Sequence, residues 1–210
     1  MKRILVVDDH AIVRRGLIGL LEDELESVEV EGAADGSSAR GILAAGTWDL
    51  VVLDINLPDC GGLDLLREFR EAYRHLRFIV LSAYAEDEFG LRSIQLGALA
   101  YLNKKQAAEE LVIAVERVLA GQHYVTGSLA GLMADNLGGR NSPEPHQQLS
   151  NRELQVLRMI AEGLHQKEIA DRLGLSAKTV STYRARLAEK MDLHSNVELT
   201  RYAIHHHLAE

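Results

Sequence analysis

Short apolar runs alternate with segments of helical period over the first 121 residues of the chain. The apolar runs are strand-like and fall at residues 4–7, 28–33, 50–53, 78–81 and 98–102. The helical segments between and after them cover roughly 11–22, 36–46, 61–73, 86–96 and 106–120. Continuous apolar strands joined by helices are typical of a parallel sheet covered on both faces. The pattern therefore predicts an α/β domain built on a doubly wound (βα)5 parallel sheet.

After Gly121 the strand signals stop and the pattern is helical. Residues 126–137 suit a short helix, and residues 138–148 are rich in turn formers and poor in apolar residues, as expected of an exposed linker. Beyond the linker, capping-box pairs predict two helix starts, at Ser150 with Glu153 and at Ser195 with Glu198. We predict an α/β domain over 1–121, a linker with a candidate short helix over 122–148, and a smaller all-α domain over 149–210.

Composition narrows the class of protein. With 210 residues and 47% hydrophobic content, the chain can bury a sizeable core. No stretch approaches the roughly 18 apolar residues of a membrane span, and Met1 leads almost directly into the first strand rather than into a signal peptide. A lone Cys60 excludes an intrachain disulfide and a cysteine-based zinc site. We expect a cytoplasmic protein with no membrane partner.

Charge is unevenly divided between the two halves. Residues 1–121 hold 13 Lys and Arg against 21 Asp and Glu, whereas residues 122–210 hold 10 of each. Within the neutral second half, the segment from Lys178 to Lys190 is locally basic. A local basic face of this kind can bind nucleic acid even though the whole chain is acidic.

Acidic residues follow two of the predicted strands. Asp8 and Asp9 come directly after the first strand, and Asp54 comes directly after the third. In a doubly wound sheet these strand ends are neighbours, at the edge where ligands bind. Crowded carboxylates need a cation among them, and oxygen ligands with an open side suit Mg²⁺. Lys104 after the fifth strand and Ser82 after the fourth would complete the pocket.

These groups together suit the formation of an aspartyl phosphate. Mg²⁺ and Lys104 would neutralise the oxygens of an incoming phosphoryl group while the Asp54 carboxylate attacks phosphorus in line. The alternative is that the strand-end acids only cap the helices that follow them. Polar groups at the ends of four strands, in an order that fits one topology, favour the pocket.

The second half contains the pattern of a helix-turn-helix. Ala170, Gly174 and Val180 have the spacing of two helices that cross steeply, with a small residue at the crossing, a glycine in the turn and a branched residue that fixes the second helix. Ser176 is predicted to cap that second helix. The side chains predicted to face outward on it, and to contact DNA, are Lys178, Thr179, Ser181, Thr182, Arg184, Ala185 and Arg186. The basic ones suit phosphates, and Ser181, Thr182 and Ala185 suit base edges in a major groove.

Residues 3–121 resemble the receiver domain of two-component response regulators, a flavodoxin-like fold. The segments that match are LVVDD ending at Asp9, LDINLP from Leu53, VLSA from Val80 and GALAYLNK ending at Lys104. The resemblance implies Asp54 as phosphoacceptor, with Asp8, Asp9 and the Asn56 backbone carbonyl as further Mg²⁺ ligands. It also implies Lys104 as ion pair of the phosphate, Ser82 as the switch hydroxyl and Tyr101 as the switch aromatic.

Residues 149–208 resemble the LuxR-type four-helix DNA-binding domain, through LSNRELQVL from Leu149, GLHQKEIA from Gly163, LSAKTV from Leu175 and SNVELTRYA from Ser195. The whole chain therefore resembles the NarL/FixJ class of response regulators. That resemblance implies a sensor histidine kinase as phosphate donor, a double-stranded DNA operator, and a homodimer on activation in which the last helix, about 196–207, pairs with its copy. We interpret His205, His206 and His207 as the end of that helix rather than as a metal site, because consecutive residues cannot all face one ion.

Two other functions use the same residues. A phosphatase or phosphotransferase working through an aspartyl phosphate would need a second carboxylate two residues after the nucleophile, where this chain has Asn56. An atypical regulator would bind DNA or protein without phosphorylation, although every acceptor group is present. The leading hypothesis is a phosphorylation-activated transcription regulator that is not an enzyme beyond reactions at its own Asp54. The kinase, the operator and the direction of regulation stay open.

Overall fold

The computed structural model describes residues 1–137, 145–206 and 208–209. The chain divides into two compact units, Met1–Asn141 and Ser142–Glu210. The first unit is therefore longer than the predicted 1–121 domain, because it includes the helix that follows the fifth βα repeat. The predicted linker residues 138–144 lie outside the described residues.

The first unit contains the predicted five βα repeats and one further helix. Its strands are β1 Lys2–Val7, β2 Val28–Ala33, β3 Leu50–Asp54, β4 Arg77–Ser82 and β5 Ala100–Asn103. Its helices are α1 Ala11–Glu24, α2 Gly36–Ala45, α3 Gly62–Ala72, α4 Glu86–Gln95, α5 Ala107–Leu119 and α6 Gly127–Leu137. All strands are parallel, in the order β2-β1-β3-β4-β5. The predicted doubly wound sheet is confirmed.

Alternating strand residues form two cores, one on each face of the sheet. On one face, Ile4, Val52 and Leu81 pack with residues of α1 and α5 such as Leu21 and Leu111, all almost fully buried. The intervening apolar residues of the inner strands β1, β3 and β4 are equally buried and face the layer of α2, α3 and α4. Because both faces are covered, the polar side chains collect where the strands end.

Helix α6 is part of the first unit because it packs against α4. Leu129 is fully buried and lies beside Gly90 of α4. Thr126 Oγ1 donates a hydrogen bond of 2.6 Å to Glu86 Oε2 at the start of α4, and Ser128 Oγ donates to the same oxygen. The segment before α6 is held as well, since the Tyr124 N–H donates to the Leu99 carbonyl.

The described residues of the second unit form a 3-10 helix, Pro145–Gln148, and four α-helices: α7 Asn151–Ala161, α8 Gln166–Leu173, α9 Ala177–Met191 and α10 Asn196–His205. Both predicted capping boxes form, at Ser150 with Glu153 and at Ser195 with Glu198. Helix α7 packs against both α9 and α10, and α8 packs against α9. The predicted four-helix domain is confirmed.

Candidate functional site: an acidic pocket and a helix-turn-helix

The carboxyl ends of β1 and β3 bring Asp8 and Asp54 together. Val7 pairs with Leu53 in the parallel ladder, so the residues that follow them are neighbours across the two strands. Asp8 and Asp54 are 0% and 1% exposed, while Asp9 lies on the surface. Two carboxyl groups are thus shielded from solvent at the carboxyl ends of the strands, which is where parallel sheets bind ligands.

Lys104 supplies the positive charge in this pocket. Its Nζ lies 2.7 Å from Asp54 Oδ2 and 2.7 Å from Asp8 Oδ2. The backbone fixes its position, because the Lys104 N–H donates to the Ser82 carbonyl at 2.7 Å. The fifth strand therefore delivers its cation to the two acids, as the sequence predicts.

The acidic pocket also contains His10, which strand order alone does not predict. Ligand atoms of Asp8, Asp9, His10 and Asp54 all lie within 4.8 Å of one another. His10 Nδ1 is 2.6 Å from Asp9 Oδ1. His10 occupies the N-cap position of α1 without a side-chain cap, and the Asp8 side chain accepts a hydrogen bond from its N–H. The residue directly follows the two acids in sequence, and that adjacency was the available signal.

Opposing effects act on the two charges in the pocket. Burial raises the pKa of Asp54, and the neighbouring Asp8 carboxylate adds to this, while Lys104 and the Asn56 N–H act in the opposite direction. Burial alone would lower the pKa of Lys104, but Asp54 and Asp8 outweigh burial and raise it. Lys104 is therefore charged, and it faces a carboxyl group whose ionisation is costly.

The predicted switch residues Ser82 and Tyr101 both bind the segment after β4. Ser82 Oγ is buried and accepts a hydrogen bond of 3.0 Å from the Tyr84 N–H. Tyr101 is fully buried and its hydroxyl donates to the Tyr84 carbonyl at 3.0 Å. Asn103 Nδ2 donates to the same carbonyl, and Asn103 Oδ1 accepts from the Lys105 N–H. Asn103 thus links the Tyr84 backbone to Lys105, and the two residues that flank Lys104 are both part of this hydrogen-bonded chain. The sequence did not predict this role for Asn103.

Helices α8 and α9 form the predicted helix-turn-helix. Gly174 ends α8 with φ of +64°, a left-handed conformation that favours glycine. Ser176 caps α9 through a hydrogen bond from the Thr179 N–H. Ala170 and Val180 are buried at 3% and 1% exposure. The turn, the cap and the crossing are all formed by the residues expected to form them.

The side chains predicted to face outward on α9 do so with two exceptions. Lys178, Ser181, Thr182, Ala185 and Arg186 are exposed, as is Ala177. Thr179 is half-buried and its hydroxyl lies 2.8 Å from Ser176 Oγ. Arg184 is half-buried, and its guanidinium donates to Asn196 Oδ1 of α10. Part of the predicted basic face is therefore turned toward the protein.

Helix α10 presents apolar side chains to solvent. Val197 is 76% exposed and Ile204 is 50% exposed. They line an apolar groove of about 680 Å³ together with Ile160, Leu164, Thr200 and Arg201. The helix ends at His205, with His206 in the C-cap position, so these two histidines end the helix as predicted. His207 lies outside the described residues.

None of the helices within the described residues combines the length and apolar character needed to cross a membrane.

Comparison with known proteins identifies families for both units. Residues 4–116 match the response regulator receiver domain, and residues 147–203 match the bacterial regulatory proteins of the luxR family. The chain is 37% identical over 210 residues to the response regulator UvrY of Escherichia coli O6:H1, covering 99% of this chain and 96% of that protein. It is 36% identical over 212 residues to the response regulator GacA of Pseudomonas aeruginosa, covering 100% and 99%.

Two solved structures share the fold. One is the two-component response regulator RcsB in complex with DNA, at 25% identity and a TM-score of 0.61, with 97% of this chain and 98% of that chain covered. The other is a LuxR-family response regulator from Aurantimonas sp. SI85-9A1, at 33% identity and a TM-score of 0.58, with 65% and 97% covered. The chain therefore belongs to the NarL/FixJ class of response regulators, phosphorylation-activated regulators of transcription that join a receiver domain to a luxR-family domain.

Proposed function

We propose that Asp54 is the phosphoacceptor of this response regulator and that a sensor histidine kinase supplies the phosphoryl group. The observation that carries the proposal is the contact of Lys104 Nζ with Asp54 Oδ2 at 2.7 Å, at the carboxyl end of a buried strand. A buried carboxylate held beside a fixed cation is a nucleophile whose attack on phosphorus is both oriented and electrostatically assisted.

The pocket suits Mg²⁺, with Asp8, Asp9, Asp54 and the Asn56 carbonyl as proposed ligands. Asp8 Oδ2 is buried and, although Lys104 Nζ lies nearby, it accepts no well-formed hydrogen bond from any described residue. A buried carboxylate oxygen of this kind, in a donor set rich in oxygen, fits a hard cation. When bound, Mg²⁺ would supply positive charge to the phosphoryl oxygens.

The protein's own residues then have separate roles in the transfer. One oxygen of Asp54 forms the new bond to phosphorus while the bond from phosphorus to the kinase histidine breaks. Lys104 neutralises a phosphoryl oxygen. The Ser82 hydroxyl would donate a hydrogen bond to another phosphoryl oxygen. Because Ser82 Oγ also accepts from the Tyr84 N–H, this new bond would shift the segment around Tyr84, to which Tyr101 is hydrogen-bonded as well. The switch therefore begins at the β4–α4 connection.

The second unit would bind a double-stranded DNA operator in the cytoplasm through α9. The exposed cations Lys178 and Arg186 suit phosphates, and the exposed Ser181, Thr182 and Ala185 suit base edges. Thr179, also proposed to contact DNA, is half-buried, and its hydroxyl lies 2.8 Å from Ser176 Oγ. Phosphorylation would favour a homodimer, for which the exposed apolar side chains of α10 provide a surface.

Acetyl phosphate with Mg²⁺ tests the phosphoacceptor. We expect the wild-type chain to gain one phosphoryl group by mass spectrometry, and the gain to vanish in Asp54→Asn. Asp64→Asn is the matched control, since Asp64 is an exposed carboxylate of the same unit that pairs only with Arg67 among the described residues. A phosphoryl group that persists in Asp54→Asn at wild-type level would refute the assignment.

A further inference from the structure

Arg184 leaves the recognition helix α9 toward the protein and not toward the DNA-binding surface. Its Nε and Nη2 atoms both donate to Asn196 Oδ1, at 3.0 Å and 2.8 Å. We propose that Arg184 and Asn196 form a brace that fixes α9 relative to α10, and that Arg184 is a positioning residue for DNA binding rather than a DNA contact. The inference rests on the proposed DNA binding by α9.

The position of Arg184 on the helix explains its direction. Arg184 follows Val180 by four residues and precedes Leu187 by three, and these two side chains are 1% and 0% exposed. Residues three and four apart lie on one face of an α-helix. Arg184 therefore starts from the edge of the buried stripe, whereas Lys178 and Thr182 lie on the opposite side, where both are exposed.

Asn196, the acceptor for this guanidinium, is an exposed residue whose backbone position is well fixed. It is the first residue of α10, directly after the N-cap Ser195, whose side chain accepts from the Glu198 N–H while Glu198 Oε2 accepts from the Ser195 N–H. This reciprocal capping holds the backbone of Asn196. Two N–H groups of the planar Arg184 guanidinium donate to the one oxygen of Asn196, so both the distance and the angle between the two side chains are restricted. The ammonium group of a lysine would restrict only the distance.

A partly open pocket of about 320 Å³ adjoins the brace, and its lining includes Val156, Ile160, Ile169, Val180, Arg184 and Asn196. Close packing normally fixes the angle between two helices, and a pocket removes contacts on one side. The hydrogen bonds of the brace supply a directional link beside this pocket.

A second cation of α9, Lys190, is also paired with another helix of the unit, although its own side chain is 39% exposed. Lys190 Nζ lies 2.6 Å from Glu153 Oε2, and the Glu153 side chain is 3% exposed. Apart from Arg184, the other two cations of α9 are Lys178 and Arg186, which are exposed and make no ion pair with any residue that the structure describes. Phosphate contacts and helix positioning are thus assigned to different basic residues of one helix.

The brace matters for operator recognition because it connects the two helices that a dimer would use. If α9 enters the major groove and α10 pairs with its copy, the angle between them sets how both recognition helices meet their half-sites. Loosening that angle weakens binding to a matched site. It leaves the number of phosphates contacted, and hence the salt dependence, unchanged.

The test uses the full chain and a duplex selected in vitro by the wild-type protein, with a scrambled duplex of equal length. Binding is measured by fluorescence anisotropy over a series of salt concentrations. We expect Arg184→Met and Asn196→Ala each to weaken binding to the selected duplex about tenfold, with the double variant no worse than either, because both remove the same charged hydrogen bonds. Their salt slopes, and their binding to the scrambled duplex, should match the wild type.

Arg186→Met is the matched control for a phosphate contact. It should weaken both duplexes and reduce the salt slope by about one. The proposal is overturned if Arg184→Met flattens the slope as well, or if Asn196→Ala, which frees the guanidinium, binds the selected duplex as tightly as the wild type. Should Arg184→Met fail to fold, Asn196→Ala carries the test, since alanine is well tolerated in a helix.

Failure of the proposed DNA binding would look different, because the wild-type chain would then select no duplex. In that case a double-mutant cycle on urea unfolding still tests the brace. Arg184→Met and Asn196→Ala should be non-additive in the free energy of unfolding, and additive values would refute the link between them.

Discussion

Lys104 Nζ lies 2.7 Å from Oδ2 of Asp54, and this ammonium group is the counter-ion of two buried carboxyl groups, those of Asp54 and Asp8. We predict that Lys104→Met lowers the rate of phosphorylation by acetyl phosphate about a hundredfold, because a preorganised charge aimed at the phosphoryl oxygens is lost. Mg²⁺ binding, measured by calorimetry, should be unchanged or tighter, since the remaining carboxylates attract the ion more strongly.

Lys105→Met is the control for this prediction, because Lys105 is exposed and adjacent in sequence. It should leave both the rate and the Mg²⁺ affinity unchanged. Weaker Mg²⁺ binding in Lys104→Met would mean that Lys104 holds the acids in place rather than assisting the transfer. Removal of Mg²⁺ with a chelator should stop phosphorylation of the wild-type chain altogether.

The acidic pocket could be predicted from the sequence because its position follows from strand order alone. Apolar runs locate the strands, and parallel strands end at one edge, so Asp8, Asp54 and Lys104 must converge there whatever the details of the loops. Asn103 and His10 could not be predicted in the same way. Their contacts depend on the backbone path of short loops, which bring an amide to the Tyr84 carbonyl and an imidazole to Asp9.

The basic face of α9 shows a second limit of the sequence. Helical period predicts where each side chain starts, and Lys178 and Arg186 are exposed as expected. Helical period does not predict which partner the charged end of a long side chain contacts. Arg184 and Lys190 reach partners on α10 and α7, and those partners are distant in the sequence.

The pairing of Glu153 with Lys190 predicts a pH dependence of the second unit's stability. Burial by itself raises the pKa of Glu153, but hydrogen bonds from Lys190 and Ser150 outweigh it, and the pKa lies below its ordinary value of 4.5. A lowered carboxyl pKa adds stability above the unfolded-state pKa, and that stability is lost as the pH falls through the folded-state pKa. Glu153→Gln should therefore cost about 2 kcal/mol at pH 7, a value reduced because Lys190 is partly exposed.

Urea unfolding followed by circular dichroism at several pH values measures this effect. The difference between wild type and Glu153→Gln should shrink as the pH falls below about 4.5, where the unfolded chain begins to bind a proton at Glu153, and it should be lost once the pH has fallen through the lowered pKa of the folded state. Glu189→Gln, an exposed acid of α9, should show no such difference. A difference that stays constant with pH would show that Glu153 acts through packing and not through its charge.

The hydrogen bonds from Thr126 and Ser128 to Glu86 predict that α6 is held against α4 by a polar contact. Glu86→Ala should speed hydrogen exchange of the amides of α6 about tenfold, because it removes the shared acceptor while leaving the Thr126 cap on Leu129 in place. Thr126→Val should also speed this exchange, since it removes the Thr126 hydrogen bond to Glu86 and the cap on Leu129, while the Ser128 hydrogen bond stays.

Thr47→Val is the control for the exchange measurement, because Thr47 is an exposed residue before β3. It should leave exchange in 127–137 unchanged. If Glu86→Ala also leaves it unchanged, the burial of Leu129 alone holds α6 in place. Since Glu86 begins the helix after Ser82 and Tyr84, the contact joins the proposed switch segment to the end of the first unit.

The loop that carries Asn56 depends on glycine at position 62. A Cβ at Gly62 would lie 2.3 Å from Ile55 Cα and 2.6 Å from the Asp54 carbonyl oxygen. Both neighbours are backbone, which cannot move without shifting the end of β3. Gly62→Ala should therefore cost about 3 kcal/mol in the free energy of unfolding and should weaken Mg²⁺ binding, because the Asn56 carbonyl is displaced.

Fluorescence of Trp48, the chain's single tryptophan, reports unfolding of this unit in urea. Gly131→Ala is the matched control, since a Cβ at that position of α6 meets no atom within 4 Å. It should leave Mg²⁺ binding unchanged and raise stability by at most about 1 kcal/mol, the gain of alanine over glycine in a helix. Equal stability of Gly62→Ala and Gly131→Ala would mean that the loop after β3 can rearrange, and Asn56 would then lose its support as a fixed Mg²⁺ ligand.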